Sequence, residues 1–137
     1  MCALLHIDCG GNMTKEILIV DDSASCLELV KSLITSHFEF ALKLTTCTNG
    51  VEAKQTLAQN SFDLVITDIV MPEMDGYELI RYIRSNQHVP IVALSAGNGK
   101  LDTELTLNVA QAIGANAVVS KLQLDTDLIK TVQPFLI

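Results

Sequence analysis

The sequence predicts an α/β fold, a doubly wound parallel sheet of five strands with helices on both faces. Short apolar runs of four to six residues alternate with stretches of helical period, five times in succession. The run Leu64 to Ile66 is short and flanked by turn formers, and it reads as a strand buried on both faces. Parallel strands need long crossover connections, and each gap here holds a helix. Four of the strand ends then share one feature: each runs into a polar or charged residue. In open sheets of this kind, with flavodoxin-like order 2-1-3-4-5 the first choice, such ends meet at one edge, where sites are built.

Taken in order, Glu16-Ile17-Leu18-Ile19-Val20 is a β-branched run ending at Asp21-Asp22. Ser23 or Ser25 is placed to cap a helix whose Leu27, Val30, Ile34 and Phe38 recur at spacings of three and four. Leu42 to Cys47 reads as a second strand. Asn49-Gly50 opens a short helix carrying Ala53 and Leu57. The third strand, about Phe62 to Thr67, ends on the lone carboxylate Asp68, followed by Met71-Pro72 and Asp75-Gly76. Gly76 starts a helix with Leu79, Ile80 and Ile83 on one face. Val89 to Leu94 is a fourth strand ending at Ser95, and Ala96 to Lys100 is a Gly-containing loop. A fourth helix is expected from about Asp102 to Ile113, closed by Gly114. Ala117-Val118-Val119 is the fifth strand, running into Ser120-Lys121. Asp125 or Thr126 is expected to cap a last helix through Val132, which Pro134 would end.

Composition bounds the function. A chain of 137 residues fits one domain with a substantial core. Hydrophobic content of 49% excludes a disordered chain, and the apolar runs are too short to span a bilayer. A net charge of -7 argues against direct nucleic-acid binding. Cys2, Cys9, Cys26 and Cys47 form no C-x-x-C pair, and His6, His37 and His88 show no ligand spacing. The thiols therefore read as reduced and incidental in a cytoplasmic protein, with no zinc site. Residues 1–14 read as an extension before a domain of residues 15–137. The extension is too uncharged at its start for a secretory signal, and Met13 stands as an alternative start.

The strand ends carry the chemistry. Asp21, Asp22, Asp68, Ser95 and Lys121 come from four different strand ends and would project over one edge. Three carboxylates gathered there repel one another unless a cation joins them. Magnesium suits the set, because it needs few carboxylates and keeps several waters. A carboxylate beside magnesium is also a plausible phosphoryl acceptor. Lys121 would add a point charge and the Ser95 hydroxyl a hydrogen bond.

Ile19-Val20-Asp21-Asp22, Asp68 with Met71-Pro72 and Asp75-Gly76, Leu94-Ser95-Ala96 and Lys121 resemble a response regulator receiver domain of two-component signalling, of the chemotaxis-regulator type. The resemblance runs from about Lys15 to the C-terminus. It implies that Asp68 is phosphorylated by a histidine kinase or a histidine phosphotransfer protein. It implies that Asp21, Asp22, Asp68 and the backbone carbonyl of Val70 hold magnesium, and that Ser95 and Lys121 assist. Ala96 matches the small residue that leaves room for the phosphoryl group. The implied function is a signalling phosphoacceptor rather than an enzyme, although such a domain assists its own phosphorylation and dephosphorylation. The implied partners are the kinase and a downstream protein, with no nucleic acid and no membrane, and homodimerisation on phosphorylation is one mode of output.

Two positions depart from the family pattern. Leu122 stands where proline usually follows the lysine, and Val118 where an aromatic ring is common. The lysine-proline bond of the family is usually cis. A cis bond before a non-proline residue costs roughly 2.5–4 kcal/mol, so a trans Lys121–Leu122 bond is expected, with a rearranged turn and the ammonium farther from Asp68. With Val118, output should rely on backbone movement of the Ala96–Lys100 loop. A haloacid-dehalogenase-type hydrolase would want a second Asp two residues after the first, where Val70 stands. A dinucleotide-binding fold would want glycines where Asp21-Asp22-Ser23 stands. The remaining alternative is a pseudo-receiver, a phosphorylation-independent interaction module.

Overall fold

A computed structural model describes residues 14–69, 76–96 and 108–137. Five parallel strands form one sheet in the order β2-β1-β3-β4-β5. They are β1 (Thr14–Val20), β2 (Ala41–Cys47), β3 (Leu64–Asp68), β4 (Ile91–Ser95) and β5 (Ala117–Ser120). The helices are α1 (Ala24–His37), α2 (Gly50–Gln59), α3 (Gly76–Asn86), the helical residues 108–113 (α4) and α5 (Leu124–Leu136).

Strand alternation splits the core into two layers. Leu18, Val20, Val65, Ile91 and Ala93 pack with Ala53 and Leu57 of α2 and Leu79, Ile80 and Ile83 of α3. Ile17, Ile19, Leu64, Ile66, Val92 and Leu94 pack with Leu27, Val30 and Ile34 of α1 and Leu128, Val132 and Leu136 of α5. The central strands β3 and β4 are buried at every position, which is why they show no polar alternation in the sequence.

Local chemistry fixes the helix starts. Ser23 caps α1, its hydroxyl accepting from the Cys26 N–H at 3.3 Å. At α2, Asn49 Oδ1 accepts from Glu52 N and Glu52 Oε1 accepts from Thr48 N, both at 2.8 Å, a reciprocal arrangement close to a capping box. Gly114 has φ +121° and ends α4, and the Arg84 guanidinium of α3 donates to its carbonyl at 2.9 and 3.1 Å.

Several boundaries differ from the sequence reading. β3 and β4 begin two residues later than Phe62 and Val89. Pro90 has no N–H to give to a ladder, and Asp63 uses its carboxylate on the Glu16 N–H at 2.8 Å. Both Phe62 and Val89 are buried all the same. Asp125 and Thr126 do not cap α5. The Ser120 hydroxyl instead accepts from Leu122 N at 3.2 Å and starts a 3₁₀ turn, Lys121–Gln123, that runs on into the helix. Pro134 lies inside α5 rather than ending it. Its missing N–H costs one bond near the end, while buried Leu136 anchors the final turn. The expected start of the fourth helix at Asp102, the loop beyond Ala96 and most of the 1–14 extension lie outside the described residues; Thr14 itself pairs with Ala41.

Candidate functional site

The carboxyl ends of β1, β3, β4 and β5 bring the predicted residues to one edge. Asp21 follows β1, where its N–H still donates to Cys47 O at 3.0 Å, and its side chain is buried. Asp21 Oδ1 accepts from Ser23 N at 2.9 Å, which turns the chain into α1. Asp68 is the last residue of β3 and is 4% exposed. Its Oδ1 accepts from the next backbone N–H, Ile69, at 2.8 Å. Its other oxygen, Oδ2, lies 3.1 Å from Lys121 Nζ, and the same ammonium lies 2.8 Å from Asp21 Oδ2.

Asp22 is exposed at the rim. Carboxylate oxygens of Asp21, Asp22 and Asp68 lie within 4.8 Å of one another, the one cluster of metal-ligating side chains among the described residues. All-oxygen, anionic and partly open, this donor set fits a hard divalent cation. Ser95 ends β4 with its hydroxyl buried, and that oxygen has no hydrogen-bond partner among the described residues. Ala96 follows it and is exposed. The Val70 carbonyl, the fourth expected ligand, lies outside the described residues, as do Met71-Pro72 and Asp75.

The electrostatics divide the two buried carboxyls. Burial raises Asp68, the Asp21 charge raises it further, and the pull of Lys121 and of the Ile69 N–H does not compensate, so it lies above the ordinary value. Burial also pushes Asp21 up, but the Cys26 thiol, the Lys121 ammonium and the Ser23 N–H outweigh it and hold this carboxyl below the ordinary value. For Lys121, burial pushes down and the two aspartates push up, and the aspartates win. Two carboxylates with opposed shifts around one ammonium leave Asp21 the resident anion and Asp68 the group that gains most from a further cation.

The Lys121–Leu122 bond is trans, as the energetics of a non-proline bond require, since no cis peptide occurs among the described residues. Its expected consequence is corrected: Lys121 is not withdrawn. The Ser120-capped 3₁₀ turn delivers the ammonium between Asp21 and Asp68, and Leu122 turns out to solvent at 74% exposure. Cys26, expected to be incidental, belongs to the surroundings of the site. It sits one helical turn into α1 against Asp21, and burial first, then the Asp21 carboxylate, push its thiol up to about 12. Asp21 lies five positions before Cys26 and outside the helix, so no helical spacing in the sequence signalled the contact.

The chain is similar to known proteins in sequence and fold. The family model for the response regulator receiver domain matches residues 17–133. The response regulator GtcR of Aneurinibacillus migulanus is 33% identical over 109 residues, 80% of this chain but 42% of that protein. The chain thus spans less than half the length of this relative. The chemotaxis response regulator CheY4 of Vibrio cholerae superposes with a TM-score of 0.76 at 26% identity, covering 89% of this chain and 98% of that one. The Mn²⁺-bound form of response regulator Rcp1 superposes with a TM-score of 0.71 at 25% identity, covering 88% and 90%. With the motif residues gathered at one sheet edge in this topology and the family model covering nearly all of the described sheet, the chain belongs to the response regulator receiver domains of two-component signalling.

Proposed function

We propose that Asp68 accepts a phosphoryl group from a histidine kinase or a histidine phosphotransfer protein in a magnesium-dependent reaction, and that the modified domain switches conformation to control a downstream protein. One observation carries the reading: a nearly buried carboxylate whose second oxygen faces an ammonium at 3.1 Å, inside a cluster of three carboxylates. In the transfer, an Asp68 oxygen forms the bond to phosphorus as the donor's phosphorus–nitrogen bond breaks. The electron pair leaves with the imidazole, which takes its proton from solvent. Lys121 offsets charge on the phosphoryl oxygens, and the Ser95 hydroxyl, without a partner among the described residues, is a donor available to one of them. Asp21, Asp22 and Asp68, with the Val70 carbonyl, would hold magnesium, which supplies further neutralisation of the transferring oxygens. That the related response regulator Rcp1 has an Mn²⁺-bound form supports a divalent ion for this chain.

The phosphoryl group acts by biasing two conformations through different contacts in each. The aromatic position of the family is Val118, half-buried against the α2/α3 layer, which supports backbone movement beyond Ser95 as the route of output. A cytoplasmic place between kinase and effector, without nucleic acid or membrane as partner and with a homodimer as one output, completes the reading. No helix among the described residues is long and apolar enough to cross a membrane. The test is intact mass after incubation with a small phosphodonor and magnesium. Wild type should gain one phosphoryl group and Asp68→Asn none; full uptake by that variant rejects the assignment.

A further inference from the structure

Asp68 is preceded by Thr67, fully buried on a strand whose other side chains from Leu64 to Ile66 are apolar. Thr67 is in register with Val20 and Ala93, both in the apolar layer under α2 and α3. Valine would suit that layer, and burying a hydroxyl there has a desolvation cost that valine avoids. Among the described residues the hydroxyl makes one bond: Thr67 Oγ1 donates to Asp68 O at 2.9 Å.

That bond is one of several on a single peptide unit. The Asp68–Ile69 peptide is gripped at its oxygen by Thr67. At its nitrogen, the Ile69 N–H donates to Leu94 O at 3.2 Å and to Asp68 Oδ1 at 2.8 Å. The next carbonyl, Ile69 O, accepts from Gly76 N at 2.7 Å. The carboxylate of Asp68 is therefore keyed to the plane of its own following peptide. If that plane rocks, Oδ1 follows the N–H and Oδ2 swings relative to Lys121 and Asp21.

We propose that Thr67 is a positioning residue for phosphoryl transfer, its hydroxyl holding the Asp68–Ile69 peptide plane so that the carboxylate stays aimed into the pocket. The inference rests on Asp68 being the phosphoacceptor. Misplacement of a reacting atom by about 1 Å can cost on the order of a hundredfold, and loss of one of several restraints should cost less.

Phosphorylation rates with a small phosphodonor at saturating magnesium, read by intact mass beside thermal unfolding, test it. Thr67→Val should unfold at the wild-type temperature or above it, yet accept the phosphoryl group about tenfold more slowly. Thr67→Ser, which keeps the hydroxyl, should restore the rate to within about twofold. A purely structural hydroxyl would give the reverse, a less stable valine variant with an unchanged rate, and that result overturns the proposal. Thr67→Ala, also without the hydroxyl, carries the same rate expectation should the valine variant not fold. No uptake by wild type would reject the phosphoacceptor role itself and this inference with it, whereas uptake by wild type at the same rate as Thr67→Val would reject this inference alone.

Discussion

Asp68 is asked to be ionised in a place that resists ionisation. Its carboxyl lies above the ordinary value of 3.8, because burial and then Asp21 disfavour the charge more than Lys121 favours it. A group whose folded value is raised contributes stability that is full below the unfolded value and is lost as pH rises through the folded one. At neutral pH without divalent ions, ionised Asp68 therefore works against the fold. Asp68→Asn, neutral throughout, should be more stable than wild type at pH 7 in chelator by roughly 1 kcal/mol, the scale of an ordinary single substitution. The gain should vanish below about pH 3.8, where wild-type Asp68 is protonated in both states. Paired denaturant curves at the two pH values measure this, and a variant less stable at pH 7 would contradict it. That Asp21, Asp22, Asp68, Ser95 and Lys121 would meet over one sheet edge was legible in the sequence, since each stands at or just past the end of an apolar run. Which carboxylate is the resident anion was not, because that depends on a lysine more than fifty positions away in the chain.

Elements were legible where packing and local chemistry agree. The helical spacing of Leu27, Val30 and Ile34 marked α1, and all three are buried. The start of α5 was not legible, because a hydroxyl three residues upstream of Gln123 captured the turn before Asp125 could cap it. That capture shapes the site, since it places Lys121 between Asp21 and Asp68 without the proline common in the family. The start of α3 makes the sharper demand. A Cβ on Gly76 would overlap the Asp68 carbonyl oxygen and Ile69 Cα, both backbone atoms that cannot turn aside. Gly76 lets α3 begin pressed against the Asp68–Ile69 peptide. Gly76→Ala should cost about 2–4 kcal/mol, more than ordinary overpacking, because backbone must move. For a domain of this size that is roughly a 10 °C fall in Tm. A Tm within about 2 °C of wild type would mean that the helix start gives way without strain.

The whole molecule balances an acidic surface against a site that concentrates that acidity. The net charge is -7, and three of its carboxylates lie within reach of one cation, with one ammonium as resident counter-charge. The two apolar layers that flank the sheet leave that edge to the polar strand ends, so the fold itself spends little on making the cluster tolerable. A ligand that binds the folded state alone stabilises it by RT ln(1 + [L]/Kd), about 2.7 kcal/mol at a hundredfold excess over Kd. The unfolded chain separates Asp21 and Asp22 from Asp68 and has no such site. Magnesium should therefore raise the wild-type Tm in a dose-dependent way, by roughly 5–10 °C at that excess. Asp22→Ala removes a carboxylate that is exposed and packs in neither apolar layer. It should leave the Tm in chelator within about 2 °C of wild type, since exposed substitutions cost little. At equal magnesium its rise should be clearly smaller, because one anionic ligand is gone. A calorimetric or dye-monitored titration of both proteins decides it: equal rises would place the bound ion away from Asp22, and no rise in wild type would mean that Lys121 alone suffices to neutralise the folded cluster.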